Sequence, residues 1–415
     1  MKTKKKVFKV QNSKKNSKQM KTKKKVFKVQ NSKKNSKQMK VLMLNYEFPP
    51  LGGGAGNAMY YLLKEFSKNK KIEIDVITSS PSKKRLEQFS DNIKIYRLDV
   101  NKKELHYQSF SEIFLWSIKT FFLAKKLLKK ESYDIIHCWT GWPSGFFGYV
   151  FRKKVPYIVA LRGSDVPGFN PRFKILDKVF FSHISKIIWN KAEDVVANSE
   201  GLKTLALNTQ KLPISVIYNG IDTKQFMPGN NKKKKQRLIT VSRLIERKGI
   251  RHLIIAMQKI INKESDVELL VVGEGPGKKL LEALSKNLGV ENNIRFMGRV
   301  KHDKLPALYK KSKIFILPSL HEGMSNSLLE AIASGLAIIT TDTGGSKELV
   351  KDNGIIIRKK SSDDIAKAVI DLLEDKNKLE RYKKKSRKIA EDLSWTKAAE
   401  KYYKKYKEVI NPDNQ

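Results

Sequence analysis

Short apolar runs alternate with amphipathic stretches from Met39 almost to the C-terminus. The first half offers strand candidates at Val41–Asn45, Ile72–Thr78, Ile93–Leu98, Asp134–Cys138, Tyr157–Leu161, Asp194–Asn198 and Ile214–Tyr218. Helical spacing fills the intervals, notably over Ala58–Ser67, Ser111–Leu128 and Phe173–Ala192. Brief apolar runs suit strands buried on both faces, and the amphipathic stretches suit helices laid over them. The alternation predicts parallel sheets of the α/β class.

The pattern breaks at Met227–Gln236 (MPGNNKKKKQ), a charged, turn-rich connector. It then restarts, with strands expected at Leu238–Val241, Glu268–Val272, Ile294–Met297, Ile314–Leu317, Ala337–Thr340 and Ile355–Ile357. Helices are expected between them, as at Gly249–Ile261 and Pro276–Leu288. Two doubly wound α/β units follow: residues 39–226, a linker 227–236, and residues 237–393. In such sheets ligands bind beyond the carboxyl ends of the strands, and the cleft between two units is the natural site.

Composition sharpens this picture in three ways. The 415 residues suit two or three domains, and 40% apolar content supports real cores. The single cysteine, Cys138, excludes a disulfide scaffold and a Cys-based zinc site, and fits a reducing compartment. The net charge of +44 is the outlier. Residues 1–19 recur identically as 20–38, and the two copies carry 16 of those charges without one acid. Such a basic arm suits RNA or lipid headgroups, while a duplicated start with translation from Met20 or Met39 explains it more simply. Either way residues 1–38 hold too few apolar groups to fold alone. No segment reaches the roughly 20 apolar residues of a membrane span. The nearest, Ile113–Lys130, is interrupted by Lys119 and Lys125. With Trp116, Phe121, Phe122, Lys125, Lys126, Lys129 and Lys130, it reads either as an apolar face with a basic rim for an anionic bilayer or as a helix packed on the first sheet. A cytoplasmic chain, free or peripheral on the inner face of a membrane, is the expectation.

The chemistry-bearing motifs sit at strand ends. The first strand runs into Gly52-Gly53-Gly54-Ala-Gly56 and then a helix, a loop that lets backbone approach a ligand and offers a helix N-terminus to an anion. Met59 stands where a dinucleotide fingerprint would need its third glycine. Arg162-Gly-Ser-Asp165 follows the strand Tyr157–Leu161, and Asn219-Gly-Ile-Asp222 reads as a tight turn. In the second half, Arg243 and Lys248 flank a strand-to-helix turn, a plausible clamp for a diphosphate. Gly273-Glu274-Gly275 ends the next strand. Pro318–Gly335 carries Glu322, then Ser325 or Asn326 as a helix cap, then Glu330. Two carboxylates eight apart do not face one another as a glycosidase pair does, but can touch two parts of one elongated ligand.

Taken together, Glu322-x7-Glu330, Arg243 with Lys248, the Gly52–Gly56 loop, Gly273-Glu274-Gly275 and Asp342-Thr-Gly-Gly345 resemble the retaining GT-B glycosyltransferases of family 4, the glycosyl transferases group 1. The resemblance runs from Met39 to the C-terminus. It implies two Rossmann-like domains facing across a cleft, with a nucleotide-diphosphate sugar on the second and the acceptor on the first. It implies that a C-terminal helix, over residues 394–411, returns to the first domain. Arg243 and Lys248 would neutralise the diphosphate, and Glu330 would hold the ribose hydroxyls. Glu322 would contact the donor sugar, helped by the backbone of Gly323, Met324, Ser325 and Asn326. Gly53 and Gly54 would approach the diphosphate and acceptor, Gly273 and Glu274 would pass near the nucleotide, and Arg162 and Asp165 would lie by the sugar, Asp165 as a catalytic residue. Many family members carry His where this chain has Arg162, and His137 is read as a buried structural residue.

The function expected is a hexosyltransferase that moves a sugar, from a UDP-sugar in preference to a GDP-sugar, to a glycan or lipid-linked acceptor in cell-surface polysaccharide or glycolipid synthesis. No Asp-x-Asp metal motif is present and cations already surround the diphosphate, so no cofactor or obligatory metal is expected. Replacing Lys248 by Ala is expected to lower kcat far more than it alters folding. A nucleotide-sugar epimerase of the same fold and a basic nucleic-acid or membrane binder are the competing classes. Nucleic-acid signatures are missing from the sequence, so no nucleic-acid partner is expected.

Overall fold

The computed structural model describes residues 38–83, 85–102, 109–170, 174–229 and 236–412. The repeated arm to residue 37 and the Lys-rich part of the expected connector, 230–235, lie outside them. The first sheet holds β1 (Met39–Leu44), β2 (Ile72–Ser80), β3 (Arg85–Ser90), β4 (Ile93–Asp99), β5 (Ile135–Cys138), β6 (Tyr157–Leu161), β7 (Asp194–Ala197) and β8 (Ser215–Val216). The second holds β9 (Gln236–Val241), β10 (Val267–Val272), β11 (Ile294–Gly298), β12 (Ile314–Leu317), β13 (Ala337–Thr341) and β14 (Gly354–Ile357). Their orders are β3-β4-β2-β1-β5-β6-β7-β8 and β11-β10-β9-β12-β13-β14. Every pairing is parallel except β3 with β4.

Each sheet therefore winds outward from its first strand in both directions, the doubly wound arrangement. The two switch points lie between β1 and β5 and between β9 and β12. The central strands are apolar on both faces, as Val41–Leu44 and Ile314–Leu317 show, because helices cover both sides. In the first half these are α1 (Gly54–Phe66), α2 (Phe110–Lys130), α3 (Ser144–Phe151), α4 (Lys174–Leu176), α5 (Ser182–Trp189) and α6 (Glu200–Thr209). A π-helical segment, Asp177–Phe181, joins α4 to α5. In the second they are α7 (Ile250–Lys263), α8 (Lys278–Asn287), α9 (Leu305–Tyr309), α10 (Asn326–Ala333), α11 (Ser346–Leu349), α12 (Ser362–Glu374) and α13 (Lys376–Glu391).

α14 (Trp395–Ile410) then leaves the second sheet and lies on the first. Its Trp395, Ala398, Ala399, Tyr402 and Tyr406 pack with α1 and β1. The Tyr406 hydroxyl lies 2.6 Å from Nδ1 of the buried His137 on β5. Burial, with the charge of Arg162, pushes that imidazole down to about 3, so it stays neutral and serves α14 docking. The chain crosses between the sheets at Asn219–Asp222 and returns at Leu393–Trp395. The two crossings touch: Ile221 N–H donates to Leu393 O at 3.0 Å, and a side chain at Gly220 would collide with Trp395 backbone.

Candidate functional site

Four loops at the two switch points converge. β1 opens into Asn45–Gly53 and α1, while β9 opens into Ser242–Gly249 and α7. β12 opens into Pro318–Ser325 and α10, and β5 into Trp139–Pro143 and α3. The N-termini of α1 and α10 face one another across the cleft. Asn326, the first residue of α10, donates through Nδ2 to Gly54 O at 3.3 Å and accepts from Asn219 Nδ2 at 2.9 Å. Gly53 has open space where a side chain would stand, and its N–H donates to Glu47 Oε2 at 3.3 Å. Two helix ends of the same partial charge pointed at one place favour an anion there.

The cations expected from sequence are beside those ends. Lys248 is buried and its ammonium pairs with Glu322. Ser319 Oγ donates to the same carboxylate oxygen at 2.7 Å. Burial pushes Lys248 down, and Arg247 and Arg243 push it further; Glu322 only partly offsets them. Burial would raise the Glu322 carboxyl, but Lys248, Arg247 and Ser319 together hold it below the usual range. Arg247 also donates to His321 O at 3.2 Å. Arg243 is exposed, makes no ion pair among the described residues, and stands near enough to Tyr46 of the first domain to lower its phenol's shift. Arg243, Arg247 and Lys248 outnumber Glu322 here, and the Glu47 carboxylate stands at the N-terminus of α1. The Glu322 loop is fixed from behind by Gly345 N–H, which donates to Gly323 O at 2.9 Å, and by Gly344, whose φ of +50° and close approach to Glu322 O exclude a side chain. Met324 is buried under the loop, and Ser325 caps α10 by accepting from Leu328 N–H.

Glu330 is buried one turn further along α10. Oε1 lies 2.9 Å from His302 Nε2, and Oε2 accepts from the Tyr309 hydroxyl at 3.0 Å. His302 Nδ1 lies 3.0 Å from the Tyr61 hydroxyl on α1, and Tyr61 stacks on Trp395 with centroids 5.7 Å apart. Asn57, Tyr61, Asp222, His302, Asn326 and Glu330 line a small cavity there, about 20 Å³. Sequence reasoning missed this chain of contacts. A lone histidine and a tyrosine 241 positions before it carry no local signal.

Asp165 does not fit the catalytic role expected of it. Its Oδ2 accepts from Gly141 N–H at 2.6 Å, and its Oδ1 from the N–H groups of Arg162 and Gly163 at 2.9 and 2.8 Å. Both oxygens are spent on folding two loops together, so Asp165 shapes the site from within. Arg162 lies over the Trp139 ring at 4.4 Å and donates to Asn219 Oδ1 at 2.6 Å. Asn219 thus joins Arg162 to Asn326 across the cleft, more than the turn its sequence suggested. Gly273 and Gly275 pack against Ser242 O and Leu244 O, where side chains would collide. They brace the Arg243 loop, and Glu274 stays exposed beside Lys278 at 3.3 Å. The pairing with Glu322 gives Lys248→Ala a consequence for folding as well. Removing the ammonium would leave the buried Glu322 carboxylate to Arg247 and Ser319 alone, so stability should fall together with turnover. Among the described residues no group of three His, Cys, Asp or Glu is placed to hold a metal.

The model of the Glycosyltransferase Family 4 domain matches residues 52–225, and that of the glycosyl transferases group 1 matches 222–389. The chain belongs to the family 4-like GT-B glycosyltransferases. This glycosyltransferase is 27% identical over 395 residues to an uncharacterised glycosyltransferase of Methanocaldococcus jannaschii, covering 88% of this chain and 97% of that one. Sucrose-phosphate synthase from Thermosynechococcus elongatus superposes with a TM-score of 0.79 at 19% identity, over 91% of this chain and all of its own. Anabaena HepE in complex with UDP-glucose gives 0.70, also at 19%, over 89% and 99%. At such identities the likeness is one of fold, the two-domain GT-B fold, while the family models carry the glycosyltransferase assignment.

Proposed function

We propose that this glycosyltransferase retains anomeric configuration while moving a sugar from a UDP-sugar to a glycan or lipid-linked acceptor, in cell-surface polysaccharide or glycolipid synthesis. One observation carries the reading: the facing N-termini of α1 and α10 share their end of the cleft with Arg243, Arg247 and Lys248. That much positive potential needs a dianion, and a nucleotide diphosphate supplies it. UDP is favoured over GDP because the Anabaena neighbour of this fold was solved with UDP-glucose.

In this reading Arg243 and Lys248 offset charge on the departing diphosphate, usually the largest single contribution in such sites. The bond from the anomeric carbon to the diphosphate oxygen breaks. The acceptor hydroxyl bonds to that carbon from the same face, and its proton passes to the diphosphate. Glu330 takes the ribose hydroxyls, exchanging contacts with His302 and Tyr309. Glu322, positioned by Lys248 and Ser319, meets the sugar hydroxyls with the N–H groups of Gly323 to Asn326. Charge neutralisation by fixed cations makes an obligatory metal unnecessary. A lipid-linked acceptor brings the enzyme to an anionic membrane surface in the cytoplasm.

The test is incubation of the purified protein with UDP- and GDP-sugars without acceptor. Slow release of nucleotide diphosphate with free sugar of unchanged anomeric configuration is expected. Epimerised nucleotide sugar would assign the fold to an isomerase instead.

A further inference from the structure

Helices on a sheet normally turn a polar face outward. α2 does not. Its inward face is Trp116, Thr120, Ala124 and Leu127, all buried. Trp116 is inside the core, as the reading of a helix packed on the first sheet has it, and Phe121 is stacked on Phe151. Outward stand Phe110 and Phe114, each 68% exposed, then Ile118 and Phe122, the latter 65% exposed, at intervals of four residues. Lys125, Lys126, Lys129 and Lys130 continue the same helix, all exposed.

A second apolar surface lies in the same layer. Ile175 is 79% exposed and Val179 71%, and Leu176, Phe180 and Ile187 are exposed as well. The second surface continues from Phe180 through Trp142 to Phe146, and from there buried Phe147 and Trp116 lead under α2, with centroids 5.7 to 6.4 Å apart. Over residues 110–130, 144–151 and 174–189 there are eight lysines and two acids. Glu112 is turned inward and Asp177 is half-buried. Glu112 is buried with Lys102, and Asp177 accepts from Gly168 N–H at 2.8 Å.

We propose that the outward face of α2 and the segment Ile175–Ile187 together dock on an anionic lipid bilayer. Aromatic and branched side chains enter the headgroup boundary while lysines meet phosphates, the arrangement of an interfacial helix. Exposed apolar surface of this extent is uncommon on a soluble monomer, and its excess of lysine over acid selects a negatively charged partner. Placement adds to the argument. α2 begins after the carboxyl end of β4, and α4 follows the loop from the carboxyl end of β6. Both surfaces thus start at the edge of the sheet where the cleft opens, so docking sets the mouth of the cleft against the lipid. The proposal deepens the lipid-linked acceptor reading and rests on it for its purpose, though not for its geometry.

The test is sedimentation of the full chain with phosphatidylcholine vesicles, with and without phosphatidylglycerol. Wild type should pellet only with phosphatidylglycerol, and less as salt rises. The triple variant Phe114→Ser, Phe122→Ser, Val179→Ser should bind roughly tenfold more weakly or worse. These are exposed positions, and UDP should raise the variant's Tm as it does the wild type's. A variant that pellets as well as wild type would assign binding to the basic arm and overturn the proposal. So would wild type that stays in the supernatant, or a dimer that the same substitutions split. Vesicle binding and UDP stabilisation report on different sites, so each can fail with the other intact.

Discussion

Arg243 and Lys248 carry like charges but permit different experiments. Arg243 is exposed and unpaired among the described residues, so Arg243→Ala removes a cation without stranding a partner. Its kcat should fall about a hundredfold with Tm unchanged, as expected when a group stabilising transition-state charge is lost. An unchanged kcat would remove it from the clamp. His302 makes a second prediction. Burial alone would lower its pKa, but the hydrogen bond and charge of Glu330 raise it above its ordinary 6.5. A folded pKa raised above the unfolded one gives stability that is full below 6.5 and lost as pH rises through the folded value. Wild type should therefore lose Tm relative to His302→Gln as pH rises through that range; parallel curves would contradict it. Charged residues at strand carboxyl ends were legible in the sequence because α/β topology gives those positions a meaning. His302 and Asp165 were not. One acts through partners far along the chain, and the other turns its charge onto neighbouring backbone.

Elements were more legible than residues. Tyr157–Leu161 and Ile314–Leu317 stand where their apolar runs place them, and α2 begins at a capping box formed by Ser109 and Glu112. β3 was missed because RLEQFS is an edge strand of mixed polarity with no apolar run, antiparallel to β4. The expected helix over 173–192 is broken into α4, a π segment and α5, which its sequence pattern does not announce. One helix end carries a contact between domains. Glu348 of α11 accepts from the N–H groups of Glu200 and Gly201, both at 2.9 Å, so a carboxylate of the second domain sits on the N-terminus of α6 in the first. Glu348→Ala should cost about 1 kcal/mol in urea unfolding, the usual worth of an N-terminal carboxylate. A change below the error of the titration would mean that water replaces it.

At the scale of the molecule, the same winding order appears twice, and the two domains meet through glycines in the loops after β7 and β13. Gly201 lies against Gly344 so closely that a side chain would collide with its carbonyl. Gly201→Ala should hold the domains apart, giving a larger radius of gyration in X-ray scattering and a raised KM for donor. Identical scattering and KM would show that another path of closure exists. The charge of +44 also resolves by place. Sixteen positive charges belong to the repeated arm, Arg247 and Lys248 act on Glu322 with Arg243 beside them, and exposed lysines of α2 border an apolar face. Fixed cations at the diphosphate predict full turnover in EDTA; loss of activity restored by Mg²⁺ would contradict this. The two-domain plan was legible because apolar runs alternate with helical spacing on both sides of residue 230. How the domains close was not, because contacts such as Asn219 to Asn326 join residues 107 positions apart.

In the proposed function the cationic end of the cleft binds a nucleotide diphosphate. Thermal unfolding with UMP, UDP and a panel of UDP- and GDP-sugars, on wild type and Arg243→Ala, tests it most directly. UDP and at least one nucleotide sugar should raise the wild-type Tm, UMP should raise it less, and Arg243→Ala should lose most of the difference between UDP and UMP. A wild-type Tm that no nucleotide diphosphate moves would mean that these cations do not bind one.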